Sequence, residues 1–282
     1  MTDRSTRARW RDRPGWRVAA AAAPALLLAL VALWEMVAVS RAAARAATDE
    51  DWRALSAALR SRHRPGDLIT FAPAWVDPLG RRFLGDLIPL EMAGRMDAAR
   101  YATIWEVAER GARSPDAAGL DAADESAFGA LVLRRYRQRA AAVATDFTAA
   151  LAGARVTGRS RGRPSASLEE VDFAPRRCVL VVPAPDQTAR ITYPGVELGA
   201  SLVGYVGLAD VFTRRDVREP ARLVVSIDGR AVADVTVGVD DGWVRFSAPT
   251  TARAGATVEF AATAVGPRAQ GRRVCFAAEA RR

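Results

Sequence analysis

In this chain of 282 residues, the segment 72–80 (APAWVDPLG) holds the side chains best suited to a polar ligand. It follows a short apolar run, 67–71, that reads as a strand, and in open α/β sheets ligands gather at the carboxyl ends of strands. There Trp75 could stack on a sugar ring and Asp77 accept its hydroxyls. The same residues also suit a proline-rich turn whose indole plugs the end of the sheet. Tyr205 and Trp243 form a second candidate carbohydrate platform, against the alternative that large aromatics in sandwich strands are core residues. Carboxylates recur at Asp67, Asp77, Asp86 and Glu91, but no spacing sets two of them together as glycoside hydrolysis requires. Asp240 and Asp241 precede Gly242, a pattern for a turn or, less simply, for calcium. The lone His63 excludes a multi-histidine metal site, and two cysteines exclude a zinc ribbon. The motifs of a nucleophile elbow, a Walker loop and a dinucleotide fold are absent. No catalytic residue, metal site or cofactor is assigned on this reading.

Half of the residues are hydrophobic and 26% are charged, which suits folded domains rather than disorder. All 41 basic residues are Arg, with no Lys or Asn, as the codon bias of a GC-rich genome would produce. The formal charge of +9 is uneven: residues 1–17 hold a net +4 and residues 268–282 another +4. A nucleic-acid surface would concentrate charge on a folded face with interleaved aromatics, so nucleic acid is not expected as a partner.

Residues 18–34 form an unbroken apolar run that continues to Val39 with only Glu35 interrupting. As a helix, such a segment is roughly 33 Å long, enough to cross a hydrocarbon core. Pro24 is expected near its start, and Trp16 and Trp34 flank it as interfacial aromatics. The Arg-rich segment 1–17 ahead of it predicts a cytoplasmic amino terminus and an extracytoplasmic bulk, in the inner membrane. An uncleaved single-pass anchor over 18–40 is preferred to a signal peptide cleaved near Ala38-Val39-Ser40, because the apolar core is long for a signal.

Beyond the anchor, the fold class expected is α+β: a small α/β domain with a parallel sheet over 41–158, a linker at 159–167, and an antiparallel β-sandwich of jelly-roll type over 168–282. The first domain would open with a helix over 41–64, capped at Asp49, with Trp52, Leu55 and Leu59 on one face. Strands are predicted at 67–71, 102–107 and 154–157, with mixed helix around 83–96 and an Ala-rich helix over 121–152. The run 159–167 (RSRGRPSAS) is the sharpest composition break. After it come eight short runs rich in Val, Ala, Thr and Phe, among them 178–182, 196–206 and 274–278, with Asp228-Gly229 and Asp241-Gly242 as turns. Cys178 and Cys275 fall in the first and last of these runs, so a disulfide closing the sandwich is expected, worth about 4 kcal/mol by loop closure.

The run PGDLITFAPAWVDPLG, followed by RMDAARYATIWEVAERG, resembles the soluble extracytoplasmic segment of membrane glycosyltransferases of the dolichyl-phosphate-mannose mannosyltransferase-like class. The later stretches LGASLVGYVGLADVF, LVVSIDGRAVADVTV, DGWVRFSAPT and VCFAAEAR resemble β-sandwich modules of bacterial envelope glycan proteins. Those transferases act through many membrane helices and an acidic extracytoplasmic loop, neither of which is legible here, so no catalytic residue carries over. The resemblance implies an accessory protein of envelope polysaccharide assembly or export, with a glycan or a membrane glycan-assembly protein as partner. An envelope hydrolase or transferase using Asp67 or Asp77 is the alternative, and a purely structural envelope protein is a third.

Overall fold

The computed structural model describes residues 14–44, 46–209, 219–268 and 271–282. Most of the basic segment 1–17 therefore lies outside the described residues. Helix α1 (Pro14–Ala44) contains the stretch Ala22–Arg41, which has a mean hydropathy of 2.1 and none of whose residues is buried. It is long and apolar enough to cross a membrane. Pro14, not Pro24, occupies its first position, where a missing N–H costs nothing, and Pro24 lies in the interior.

Helix α2 (Asp49–Arg60) buries Trp52, Leu55 and Leu59, as the spacing predicts. Its cap is Thr48 rather than Asp49: Thr48 Oγ1 accepts the Asp51 amide and Asp51 returns a bond to the Thr48 amide. This reciprocal box starts the helix eight residues later than expected, because residues up to Ala44 continue α1. Strand β1 (Leu68–Ala72) leads through a short 3-10 turn into α3 (Asp77–Leu84), and α4 (Leu90–Ala93) follows Pro89. Strand β2 (Thr103–Glu109) runs parallel to β1, which accounts for the only parallel pairing between the named strands.

The Ala-rich helix expected over 121–152 does not form. Those residues make β3 (Ala122–Phe128), β4 (Leu131–Arg137), β5 (Val143–Asp146) and a 3-10 turn. The order β1-β2-β4-β3 completes a four-stranded mixed sheet, with α2 against β3 and β4 and α3 against β1. Gly129 at φ +57° makes the hairpin turn that a helix would forbid, and Leu131 and Leu133 are then buried at strand spacing. Tertiary burial of that face outweighs the helix propensity of alanine.

The sandwich is built from β6 (Arg155–Gly158), β7 (Ser165–Val171), β8 (Ala174–Val181), β9 (Thr188–Leu198), β10 (Ser201–Ala209), β11 (Ala221–Ile227), β12 (Arg230–Val237), β13 (Val244–Pro249), β14 (Arg253–Ala264) and β15 (Arg273–Arg281). One sheet has the order β13-β10-β15-β8-β7, with β5 also on β15; the other has β12-β11-β14-β9-β6. From β8 onward, successive strands switch sheets in jelly-roll order, except for the hairpin of β11 and β12, which stays in one sheet. The expected run 196–206 is two strands, folded back at Gly199-Ala200. Asp228 and Gly229 take positive φ of 49° and 81°, the backbone that a tight hairpin needs.

The expected divide at 159–167 also moves. Strand β5 pairs with β15 and β6 with β9, so residues 143–158 belong to the sandwich sheets by hydrogen bonding. Their ladders are long-range pairings that local composition does not encode. Residues 165–167 already lie in β7.

Between the sandwich sheets, Phe147, Tyr193, Phe260 and Phe276 stack edge-on and face-on with ring centroids 4.6 to 5.8 Å apart. The Tyr193 hydroxyl is buried there with no hydrogen-bond partner among the described residues, and burial pushes its pKa up. Tyr193→Phe should therefore stabilise the chain by about 1 kcal/mol, since it removes an unsatisfied polar group without emptying the space. Equal or lower stability in denaturant melts would show that the hydroxyl is satisfied in solution.

Candidate functional site

The expected disulfide is present: Cys178 and Cys275 are joined, with Cα atoms 5.7 Å apart. It lies on the face of the β8–β15 sheet turned away from the sandwich core, packed with Met96, Val203 and Ala277. The segment around Met96 thus covers part of this face and couples the first sheet to the second.

The candidate platform residues fall in two separate places. Trp75 is 59% exposed in the 3-10 turn after β1, with the Arg110 guanidinium 5.7 Å from its ring centroid. Asp77 begins α3 and accepts from Arg81 at 2.6 Å, an ordinary i,i+4 pair. Asp67 is engaged by the Trp105 indole N–H at 3.0 Å and by the Arg64 amide, which makes it a support for that Trp. Tyr205 and Trp243 do share a sheet face, but the Arg176 guanidinium stands 3.9 Å and 5.2 Å from their ring centroids. The indole N–H of Trp243 is taken by the Ala174 carbonyl. Half-buried in this pair, Arg176 has its pKa lowered by desolvation. A guanidinium that stacks on both rings occupies surface a sugar would need. Asp241 accepts the Gly238 amide at 2.7 Å as a turn former.

The structure brings together a different set. A cleft of about 430 Å³ opens where residues 91–101 meet the sandwich, lined by Glu91, Asp97, Arg100, Tyr101, Asp146, Arg177 and Glu279. Its floor is strand β15, where Ala277 and Glu279 alternate with core-facing Phe276, Ala278 and Ala280. Tyr205 lies directly across from Ala277, so the aromatic pair adjoins this floor. At the centre Arg100 donates to Glu279 at 2.6 Å and to Asp146 at 2.5 Å. Arg281 donates to the other Glu279 oxygen at 2.7 Å and to Asp97 at 2.8 Å. Burial works against both guanidinium charges, yet the carboxylates hold the pKa of each above the ordinary arginine value. For Tyr101, burial pushes the phenol upward.

This lattice is interlocked, with carboxylate oxygens of Asp97, Asp146 and Glu279 taken by guanidinium donors. Asp146 and Asp97 also accept backbone amides, from Thr148 and Ala149 and from Ala99, so the carboxylates are fixed in place. Looser groups stand at the rim: Glu91 and Arg177 pair at 3.4 Å with 72% and 52% of their side chains exposed. Of these residues only Glu91 stood out in sequence, as one of the recurring carboxylates, because the members of the site come from four distant segments. Arg281 and Arg282, counted as part of a basic terminus, are in fact paired to Asp97 and Glu197.

No family model matches the chain, and no curated relative matches it. Among solved structures, it is similar to carbohydrate-binding β-sandwich modules. The CBM51 module of a Clostridium perfringens GH95 protein, solved with methyl-galactose, is 10% identical over 44% of this chain and 92% of that one, with a TM-score of 0.33. The tandem CBM51 modules of a family 98 glycoside hydrolase from Streptococcus pneumoniae give 11% identity over 54% of this chain, 56% of that chain and a TM-score of 0.34. The K3 adhesin domain of Lys-gingipain from Porphyromonas gingivalis gives 12%, 49%, 98% and 0.32 respectively. At these values the likeness says nothing about ligand or site.

Proposed function

We propose that this chain is a membrane-tethered accessory protein whose extracytoplasmic part binds glycan at the cleft between residues 91–101 and strand β15. The observation that carries this reading is the cleft itself, about 430 Å³, lined by arginines, carboxylates and Tyr101. That volume lies in the range of roughly 300–1,000 Å³ usual for small-ligand sites. Guanidinium and carboxylate edges in a preset lattice suit hydroxyl-rich ligands, because the groups need no reordering on binding. Helix α1, with an exposed apolar stretch at Ala22–Arg41, serves as the single-pass inner-membrane anchor and keeps the site beside the bilayer. The resemblance of the first sheet's segments to glycosyltransferase-associated extracytoplasmic segments supports a membrane glycan-assembly protein as the partner, and envelope polysaccharide as the cargo.

Titration calorimetry of the full-length protein in uncharged detergent, against polysaccharide extracted from its own host envelope, tests the reading. Arg177→Ala at the rim should weaken binding about tenfold, the loss of one hydrogen bond to a charged group, with the melting temperature unchanged. Trp75→Ala and Trp243→Ala should bind as the parent does. Binding lost in Trp75→Ala alone would move the site to the end of β1, and no heat with any fraction would overturn the glycan as ligand.

A further inference from the structure

The run 159–167, which by composition reads as a linker, is pinned to the sandwich. The Arg161 amide donates to the Val182 carbonyl at 2.7 Å and the Ala184 amide to the Arg159 carbonyl at 3.1 Å. Ser160 bridges Pro183 in antiparallel fashion, and its hydroxyl closes the turn on the Gly162 carbonyl at 2.6 Å. Between this loop and the wall 182–185 lies a second cleft, about 550 Å³, lined by Arg159 and Arg161.

Residues 155–163 (RVTGRSRGR) hold four arginines and no acid. The side chains of Arg155, Arg159, Arg161 and Arg163 are exposed, and among the described residues none makes a hydrogen bond, ion pair or ring contact. Several exposed arginines elsewhere on the sandwich are neutralised: Arg190 by Glu259, Arg222 by Asp234, Arg253 by Asp228 and Arg282 by Glu197. The first acid on either side in sequence is committed elsewhere, Glu169 to Arg273 and Asp146 to Arg100. This loop therefore presents unspent cationic donors on a fixed backbone beside a recess.

We propose that the loop between β6 and β7 binds an anionic glycan, with Arg159, Arg161 and Arg163 taking the carboxylates or phosphates borne by the chain. That the ligand is a glycan rests on the reading above; that it is anionic rests on the loop alone. Guanidinium forks match the planar or tetrahedral oxygens of such groups and form their strongest hydrogen bonds with them. A recess walled by backbone suits an inserted polymer better than a flat lipid surface. The polysaccharide would then be held twice, by hydroxyl contacts in the first cleft and by charge at this loop.

The test uses the full-length protein in uncharged detergent with polygalacturonate, neutral dextran and inorganic polyphosphate as probes, and vesicles of phosphatidylglycerol in phosphatidylcholine. The parent should bind polygalacturonate in preference to dextran, more weakly as salt is raised. The triple variant Arg159→Gln/Arg161→Gln/Arg163→Gln should lose that binding about tenfold or more with its melting temperature kept, while Arg177→Ala should keep preferring polygalacturonate to dextran. Unchanged affinity in the triple variant would overturn the site, as would arginine-dependent capture of the anionic vesicles alone. Arginine-dependent binding of polyphosphate without polygalacturonate would keep the anion site and overturn the glycan as its ligand.

Discussion

Glu106→Leu should destabilise the first sheet by about 3 kcal/mol, the largest loss expected from any single substitution in that unit. Glu106 is fully buried and stands in a row that crosses all four strands, Thr70–Glu106–Arg134–Glu125, each in register with the next. Its carboxylate accepts from the Ser114 amide at 2.5 Å, from Arg134 at 2.9 Å and from the Tyr136 hydroxyl at 3.0 Å. Remove it and the buried Arg134 charge keeps only Glu125, whose side chain is 52% exposed, together with the Ala112 carbonyl. The cost arises from stranding those partners rather than from losing a favourable pair, since burying two charges is itself expensive. It follows that Glu106→Leu/Arg134→Leu should be more stable than Glu106→Leu alone, because the orphaned charge goes with its partner. Denaturant melts of the single and double variants check this. If the two substitutions simply add, the row is not coupled and the account fails.

The row also shows what kind of information a sequence hides. Strand β2 was legible from its β-branched and aromatic residues, and the sandwich strands from alternation and from Asp228-Gly229, because these signals act over a few residues. Glu106 and Arg134 are 28 positions apart, and neither has a local partner that would flag it. Strand β4 was hidden for a related reason. Its LVLRRYR segment places Arg134 inside, so the polar–apolar alternation that would have marked a strand is broken by the very residue that pairs with Glu106. Against the alanines around it, helix propensity then looked stronger than it is.

The two clefts divide in the same way. Arg100 and Glu279 are 179 positions apart, and the pairing of β5 with β15, itself a long-range event, sets the second acceptor of Arg100, Asp146, directly across from Glu279. The arginines at 159–163 were visible as a composition break, but composition cannot tell a loose linker from a loop bridged to 182–184. Trp75 could be placed at a strand end by sequence because its position depends only on the turn after β1. Tyr205 and Trp243 were legible as large aromatics of the sandwich, whereas Arg176, which covers them, comes from a different strand.

The disulfide should carry a comparable share of the sandwich's stability. Cys178 and Cys275 are separated by 97 positions, and the loop they close contains β9 through β14. Chain-entropy arguments assign about 4 to 5 kcal/mol to a loop of that length, acting mainly by restricting the unfolded chain. Cys178→Ala/Cys275→Ala should therefore lower the unfolding free energy by roughly that amount. Both sulfurs are buried against Met96, Val203 and Ala277, so replacing them by methyl groups adds a small packing loss and leaves no polar group stranded. A reductant supplies the discriminating control. It should bring the parent down to the level of the double variant and leave the variant where it is. A parent equally stable in both conditions would mean that the sandwich is held by its core alone. In that case the aromatic cluster of Phe147, Tyr193, Phe260 and Phe276, rather than the covalent link, sets the stability of the fold. The outcome also bears on the first cleft, because the bond lies on the same sheet face as its floor. If reduction loosens that face, glycan affinity should fall along with the melting temperature, linking the site to an oxidising compartment.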